Sequence, residues 1–247
     1  MEHSFDLDTT GQLCIAALYA GIAPIVRAPS KEPFWVSHIL DGGALGIIVP
    51  HIKSVQDVKD VVAATRFPPL GSRSTTNNLP HFQFRSVPAK VASPIINEHT
   101  MVIPMIETLE ALEQVEEIAK VSGIDSLLIG TNDLVAEMGI PGEYDNPILH
   151  EAYATVIKAC SKAGIWLGTG GLHAMIDVVE KVCGMGVDWV MAHLDGPLLI
   201  EAATKRAEEM KGIGELMKSS RERGVEESVE EQRSTERDGA KPSGVPP

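Results

Sequence analysis

Six short apolar runs punctuate the chain: IAPIVRAP (22–29), LGIIVPH (45–51), MVIPMIE (101–107), SLLIGTND (126–133), IWLGTG (165–170) and DWVMAHLD (188–195). Each has the length of a strand and ends in polar or glycine-rich sequence, as buried parallel strands do. Stretches of helical periodicity separate them. Residues 9–20, opened by Asp8 or Thr9, place Leu13, Ile15, Ala16 and Leu18 on or near one face. Ser30 precedes a partly apolar helix with Phe34, Val36 and Ile39. Ser54 with Asp57 three residues on forms a capping box for a helix through Arg66. Thr108 caps a helix carrying Leu109, Leu112, Val115 and Ile118, and Gly123 ends it. Asn146-Pro147 opens a long helix that Gly164 stops, residues 172–183 form another, and Pro197 begins a last one running to about Met210. Between Phe67 and about Pro88 the sequence is rich in Pro, Ser, Thr and Asn, a loop long enough to suggest function.

Strands alternating with helices, without a hairpin signal, specify a parallel α/β sheet. No GxGxxG follows a strand, which weakens a dinucleotide-binding reading. A barrel fits better, although a complete one has eight strands and six are legible here. Residues 1–211 are expected to form this incomplete barrel. The charge runs of residues 212–247, closing in KPSGVPP, predict a disordered tail.

Composition narrows the partners. The 247 residues are 44% hydrophobic with a net charge of −13. Residues 205–247 hold 9 basic and 10 acidic residues, leaving 12 basic and 24 acidic in residues 1–204. A surface this acidic repels nucleic-acid phosphates. Cys14, Cys160 and Cys183 are scattered and predict reduced thiols. The amino-terminal MEHSFDLD has no basic, apolar signal pattern. The longest apolar stretch, Leu13 to Val26, is broken by Gly21 and Pro24, so a soluble, cytoplasmic protein without membrane contact is expected.

The third and fourth runs end in carboxylates, Glu107 and Asp133, 26 residues apart. Strand, helix and strand over this distance make a βαβ unit, so both acids should reach one rim of the sheet. A hard divalent cation would relieve their repulsion. The plainer alternative is that each acid caps the following helix. A cation held there would chelate a 2-keto acid and stabilise its enolate. Arg27, closing the first run, lies on the same rim and offers charge to a developing oxyanion, or forms a rim salt bridge. Backbone N–H groups at Asn132 and Asp133 open a helix that can receive a substrate carboxylate. The Gly168–Gly171 loop gives another close backbone approach, or is a plain turn. His51 and His193 occupy rim positions and read as hydrogen-bonded wall residues.

PMIET and IGTNDL resemble the paired motifs of the HpcH/HpaI aldolase and citrate lyase family, the metal-dependent class II pyruvate aldolases. PIVRAP, LDGGALGIIVPHI and RFPPLGSRS resemble its other signatures, in the family's order, so the likeness covers roughly residues 2 to 204. It implies a TIM (β/α)8 barrel of the phosphoenolpyruvate/pyruvate type and a carbon–carbon lyase acting through a metal-stabilised pyruvate enolate. Mg²⁺ or Mn²⁺ would bind Glu107 and Asp133. Arg27 matches the catalytic arginine, and Arg27, Met105, Asn132 and Asp133 fall at the substrate. Met105 stands where some members have glutamine. His3, in the Glu2-His3 pair, matches the general base. Asp41 matches a carboxylate that supports this histidine from a neighbouring subunit, hence a homo-oligomer. The partners implied are a 2-keto acid and an aldehyde. Oxaloacetate decarboxylation of the macrophomate synthase kind, or a non-catalytic remnant, are the alternatives. In the family the Glu-His pair closes the second strand, so the six strands here correspond to the third to eighth. An upstream extension of roughly 40 residues is therefore expected to complete the barrel.

Overall fold

The computed structural model describes residues 5–239, which divide into one unit up to Ala192 and another from His193. In the first, Asp6 opens α1 (Leu7–Tyr19) by accepting the Thr9 N–H at 2.7 Å. Then follow β1 (Ile25–Arg27), α2 (Pro33–Asp41) and β2 (Gly46–Val49). Both bonds of the expected capping box, Ser54 with Asp57, open α3 (Val55–Thr65). After a loop come α4 (Ala89–His99), β3 (Met101–Ile106), α5 (Leu109–Glu113) and α6 (Val115–Ala119). The unit continues with β4 (Ser126–Gly130), α7 (Thr131–Glu137), α8 (Pro147–Ala163), β5 (Trp166–Gly170), α9 (Ile176–Met185) and β6 (Trp189–Val190).

The six strands form one sheet in sequence order, every pairing parallel. It is a curled half-barrel. The eight-stranded closure expected from sequence is not present among the described residues. Side-chain alternation splits the apolar residues between two faces. Ile47, Val49, Val102, Ile106, Leu127 and Ile129 pack against the helices in the main core. Ile48, Ile103, Met105 and Leu128 form a second cluster on the inner face, with Trp189 against it. Burying such a side chain fully stabilises the fold by about 1.5–3 kcal/mol.

Several boundaries differ from the sequence reading. Helix α4 was not expected, because Pro94 interrupts its pattern. The single helix expected after Thr108 breaks at Gln114, whose ψ of 9° leaves the helical range. β4 stops at Gly130, so Asp133 lies in the first turn of α7 rather than at the end of a strand. The last run contracts to the two residues of β6. In the second unit, α10 (Asp195–Gly239) is one helix of 45 residues. Residues 212–239, expected to lack structure, continue it; Glu is the commonest residue here and is a good helix former. No described helix is long and apolar enough to cross a membrane.

Candidate active site

Glu107 follows β3, and alternation carries it onto the inner face beyond Ile103 and Met105. Only 3% of it is exposed. A carboxylate this buried needs hydrogen-bond donors. The His51 peptide N–H donates to Oε1 at 2.6 Å, and His51 Nδ1 lies 3.2 Å from the same oxygen. Pairing of Val49 with Pro104 brings the end of β2 alongside β3, which is how residues 56 apart in sequence meet. The other oxygen lies against β4. A β-carbon on Gly130 would sit 2.7 Å from Oε2 and 2.9 Å from Met105 Cε, so the carboxylate's place depends on glycine there.

Beyond Gly130, the first turn of α7 presents Asn132 and Asp133, both exposed. Three contacts fix this turn. Asn132 Oδ1 accepts the Tyr144 hydroxyl at 2.8 Å. Gly171, at φ +87°, packs onto the Asn132 amide so closely that a β-carbon would lie 3.0 Å from Cγ. Thr131 belongs to a buried trio of hydroxyls, 2.7 Å from Tyr153 Oη, which is itself 2.5 Å from Thr169 Oγ1. Burial raises the Tyr153 pKa above its usual value against the two threonine bonds, so it remains a phenol at neutral pH.

Arg27 is the last residue of β1, half-buried, with its α-carbon paired to Ile48 and thus on the inner face. Met105 lies on that face, beside Glu107 in the wall. Asp41 closes α2 elsewhere: Arg73 Nη2 donates to its Oδ1 at 2.6 Å. It borders a cleft of about 600 Å³ shared with Lys31, His38, Asp57 and Arg73, and none of Arg27, Glu107 or Asp133 lines that cleft. Burial pushes the Arg73 pKa down, opposed by the bond to Asp41. His3 lies outside the described residues. His51, read from sequence as a hydrogen-bonded wall residue, is hydrogen-bonded through its peptide N–H to Glu107. Its signal was only its position at the end of an apolar run.

Among the described residues, no group of three or more His, Cys, Asp and Glu is arranged to hold a metal ion. Glu107 and Asp133 thus offer at most two carboxylates, with the Asn132 amide oxygen beside them. Hard oxygen donors in this number suit a hard divalent cation that keeps most of its coordination for water and substrate oxygens.

A profile of the HpcH/HpaI aldolase/citrate lyase family matches residues 9–202. The chain is 36% identical to a 4-hydroxy-4-methyl-2-oxoglutarate aldolase of Hapsidospora irregularis over 211 residues, 84% of this chain and 78% of the relative. The crystal structure of an HpcH/HpaI aldolase from Desulfitobacterium hafniense superposes with a TM-score of 0.77 at 25% identity, covering 85% of this chain and 81% of that one. Macrophomate synthase superposes with a TM-score of 0.69 at 25% identity, covering 85% and 76%.

Proposed function

The chain belongs to the HpcH/HpaI aldolase/citrate lyase family, and from that premise we propose that it is a divalent-metal-dependent lyase splitting 4-hydroxy-2-oxo acids to pyruvate. The buried Glu107 carboxylate, fixed beside the turn that carries Asp133, supports this reading best. Glu107 and Asp133 would hold Mg²⁺ or Mn²⁺. When bound, the ion supplies Lewis acidity toward the keto and carboxylate oxygens of the substrate. Asn132 and Asp133 face the keto acid from α7, and Met105 forms the wall below it. Arg27 offers its guanidinium to the oxygen that gains charge as the carbon–carbon bond breaks. His3 takes the proton, and Asp41 of a second copy supports it in a homo-oligomer. In this reading the six strands are the third to eighth of a TIM barrel of the phosphoenolpyruvate/pyruvate type. Three free cysteines suit a reducing cytoplasm.

The Hapsidospora relative points to the substrate. In 4-hydroxy-4-methyl-2-oxoglutarate the C3–C4 bond breaks, the C4 hydroxyl proton leaves, and C4 becomes a carbonyl. C3 then takes up a proton and becomes a methyl group. Both fragments are pyruvate, so the second product is a keto acid rather than the aldehyde expected from sequence. Purified protein with Mn²⁺ should release two pyruvates per substrate, and EDTA should stop it. If no 4-hydroxy-2-oxo acid yields pyruvate in the presence of metal, the proposal fails. Conversion of oxaloacetate to pyruvate and CO₂, with no 4-hydroxy-2-oxo acid cleaved, would favour the decarboxylase reading, which the likeness to macrophomate synthase supports.

A further inference from the structure

We propose that His51 is the positioning residue of the Glu107 carboxylate, and that its left-handed backbone conformation is what does the positioning. The inference rests on Glu107 being a metal ligand.

His51 stands at φ +59°. Residues other than glycine are uncommon there, and such conformations persist where the surroundings enforce them, often at functional sites. Here the surroundings are visible. The Thr108 hydroxyl donates to the Ile52 carbonyl at 3.0 Å, and Gln114 Nε2 donates to the Lys53 carbonyl at 3.0 Å. The turn after β2 is therefore stapled to the segment that follows Glu107, independently of the carboxylate itself. Within that turn, the left-handed residue aims its peptide N–H at Oε1, 2.6 Å away.

The imidazole of the same residue lies against that oxygen too, with Nδ1 at 3.2 Å. With the peptide N–H on Oε1, the carboxylate cannot rotate without losing it. Oε2 is then held toward Gly130, whose missing β-carbon leaves it room, and α7 with Asp133 starts directly after that glycine. Partners of this kind orient a ligand and tune metal affinity without touching the ion.

The backbone and imidazole contributions separate by substitution in the full chain, with Mn²⁺ titrated by calorimetry. His51→Asn tolerates the left-handed region and should bind nearly as the wild type. His51→Gly adopts that region as readily, keeps the N–H and, lacking the imidazole as Asn does, should bind as His51→Asn does. His51→Val is β-branched, turns the N–H away and should weaken Mn²⁺ binding by roughly 10- to 100-fold. If circular dichroism shows that His51→Val does not fold, His51→Thr takes its place. Wild-type affinity in the β-branched variant, or equal loss in Asn, Gly and Val, would overturn the proposal. Glu107→Gln separates the two layers. If it binds Mn²⁺ as the wild type does, the metal assignment falls and this inference with it. If it loses Mn²⁺ while His51→Val retains it, only the inference falls.

Discussion

Each rim of the sheet buries a charged side chain, and the two are held in opposite ways. At the amino rim, Arg66 ends α3, and its fork is taken up by fixed acceptors. Nη1 donates to the carbonyls of Asn97 and Thr100, and Nη2 to Gly123 O at 2.8 Å and Asp125 Oδ2 at 3.0 Å. Asp125 in turn accepts the Val102 N–H at 2.8 Å, so the cluster ties α3, α4, β3 and β4 together. At the carboxyl rim, Glu107 accepts the peptide N–H of His51 from a left-handed turn, next to a short helix that leaves Asn132 and Asp133 exposed. The amino rim spends its charge on joining segments. The carboxyl rim fixes an acid in place and keeps further polar groups open beside it. That division, stability at one end and chemistry at the other, is the one α/β barrels follow.

The largest effect that would break this comparison lies at the carboxyl rim. Glu107→Gln keeps the size of the side chain and an acceptor for the His51 N–H but removes the charge. Mn²⁺ binding and lyase activity should be lost, while unfolding in urea shifts by less than about 1 kcal/mol. A variant that binds metal normally but unfolds early would show that Glu107 serves the fold and not the chemistry.

Next in size is the reverse experiment at the amino rim. Arg66→Met removes the donors from three backbone carbonyls and from Asp125. Breaking a buried ion pair from one side is strongly destabilising; because the Asp125 side chain is 34% exposed and water can solvate it, a loss of about 3 kcal/mol is expected. The urea midpoint measures it. Folded molecules should still bind Mn²⁺ with wild-type affinity. Loss of metal affinity in the folded state would mean that the two rims are coupled through β3 and β4.

How much of this was legible beforehand follows from how local each feature is. The strands, the Ser54 capping box and the two acids are short-range patterns, and the six-stranded parallel sheet and Glu107 were read from them. Asp133 was assigned to a strand end because SLLIGTND is continuous in sequence. The structure ends that strand at Gly130, against Glu107, and starts a helix at Thr131, a break the continuous run does not show. Arg66 was visible merely as the end of a helix, since its partners lie 31 to 59 residues away. The role of His51 depends on a φ angle, and no residue pattern announces that. Asp41 is expected, through family likeness, to act on a neighbouring subunit; within its own chain it accepts a hydrogen bond from Arg73.

The smallest expected effect sharpens the picture at the carboxyl rim itself. Thr131, Tyr153 and Thr169 form a closed triangle of hydroxyls, with the third side, Thr131 to Thr169, at 3.3 Å. Each hydroxyl can give one proton and take one, so the trio is satisfied without water, and all three residues are buried. The triangle ties α8 to the first residue of α7 and to β5 just before its end. Tyr153→Phe removes one corner, but the two threonines can still bond to each other, so only about 1 kcal/mol of stability should be lost. The sign with pH follows from the raised pKa of the buried phenol. Its contribution is fully present below the unfolded value of about 10 and is lost as pH rises through the higher folded value. Urea unfolding of the two proteins should therefore differ at pH 7 and converge in strong alkali. If Tyr153→Phe instead lowers kcat or Mn²⁺ affinity with stability unchanged, the triangle positions Asn132 and Asp133, and belongs to the chemistry rather than to the frame around it.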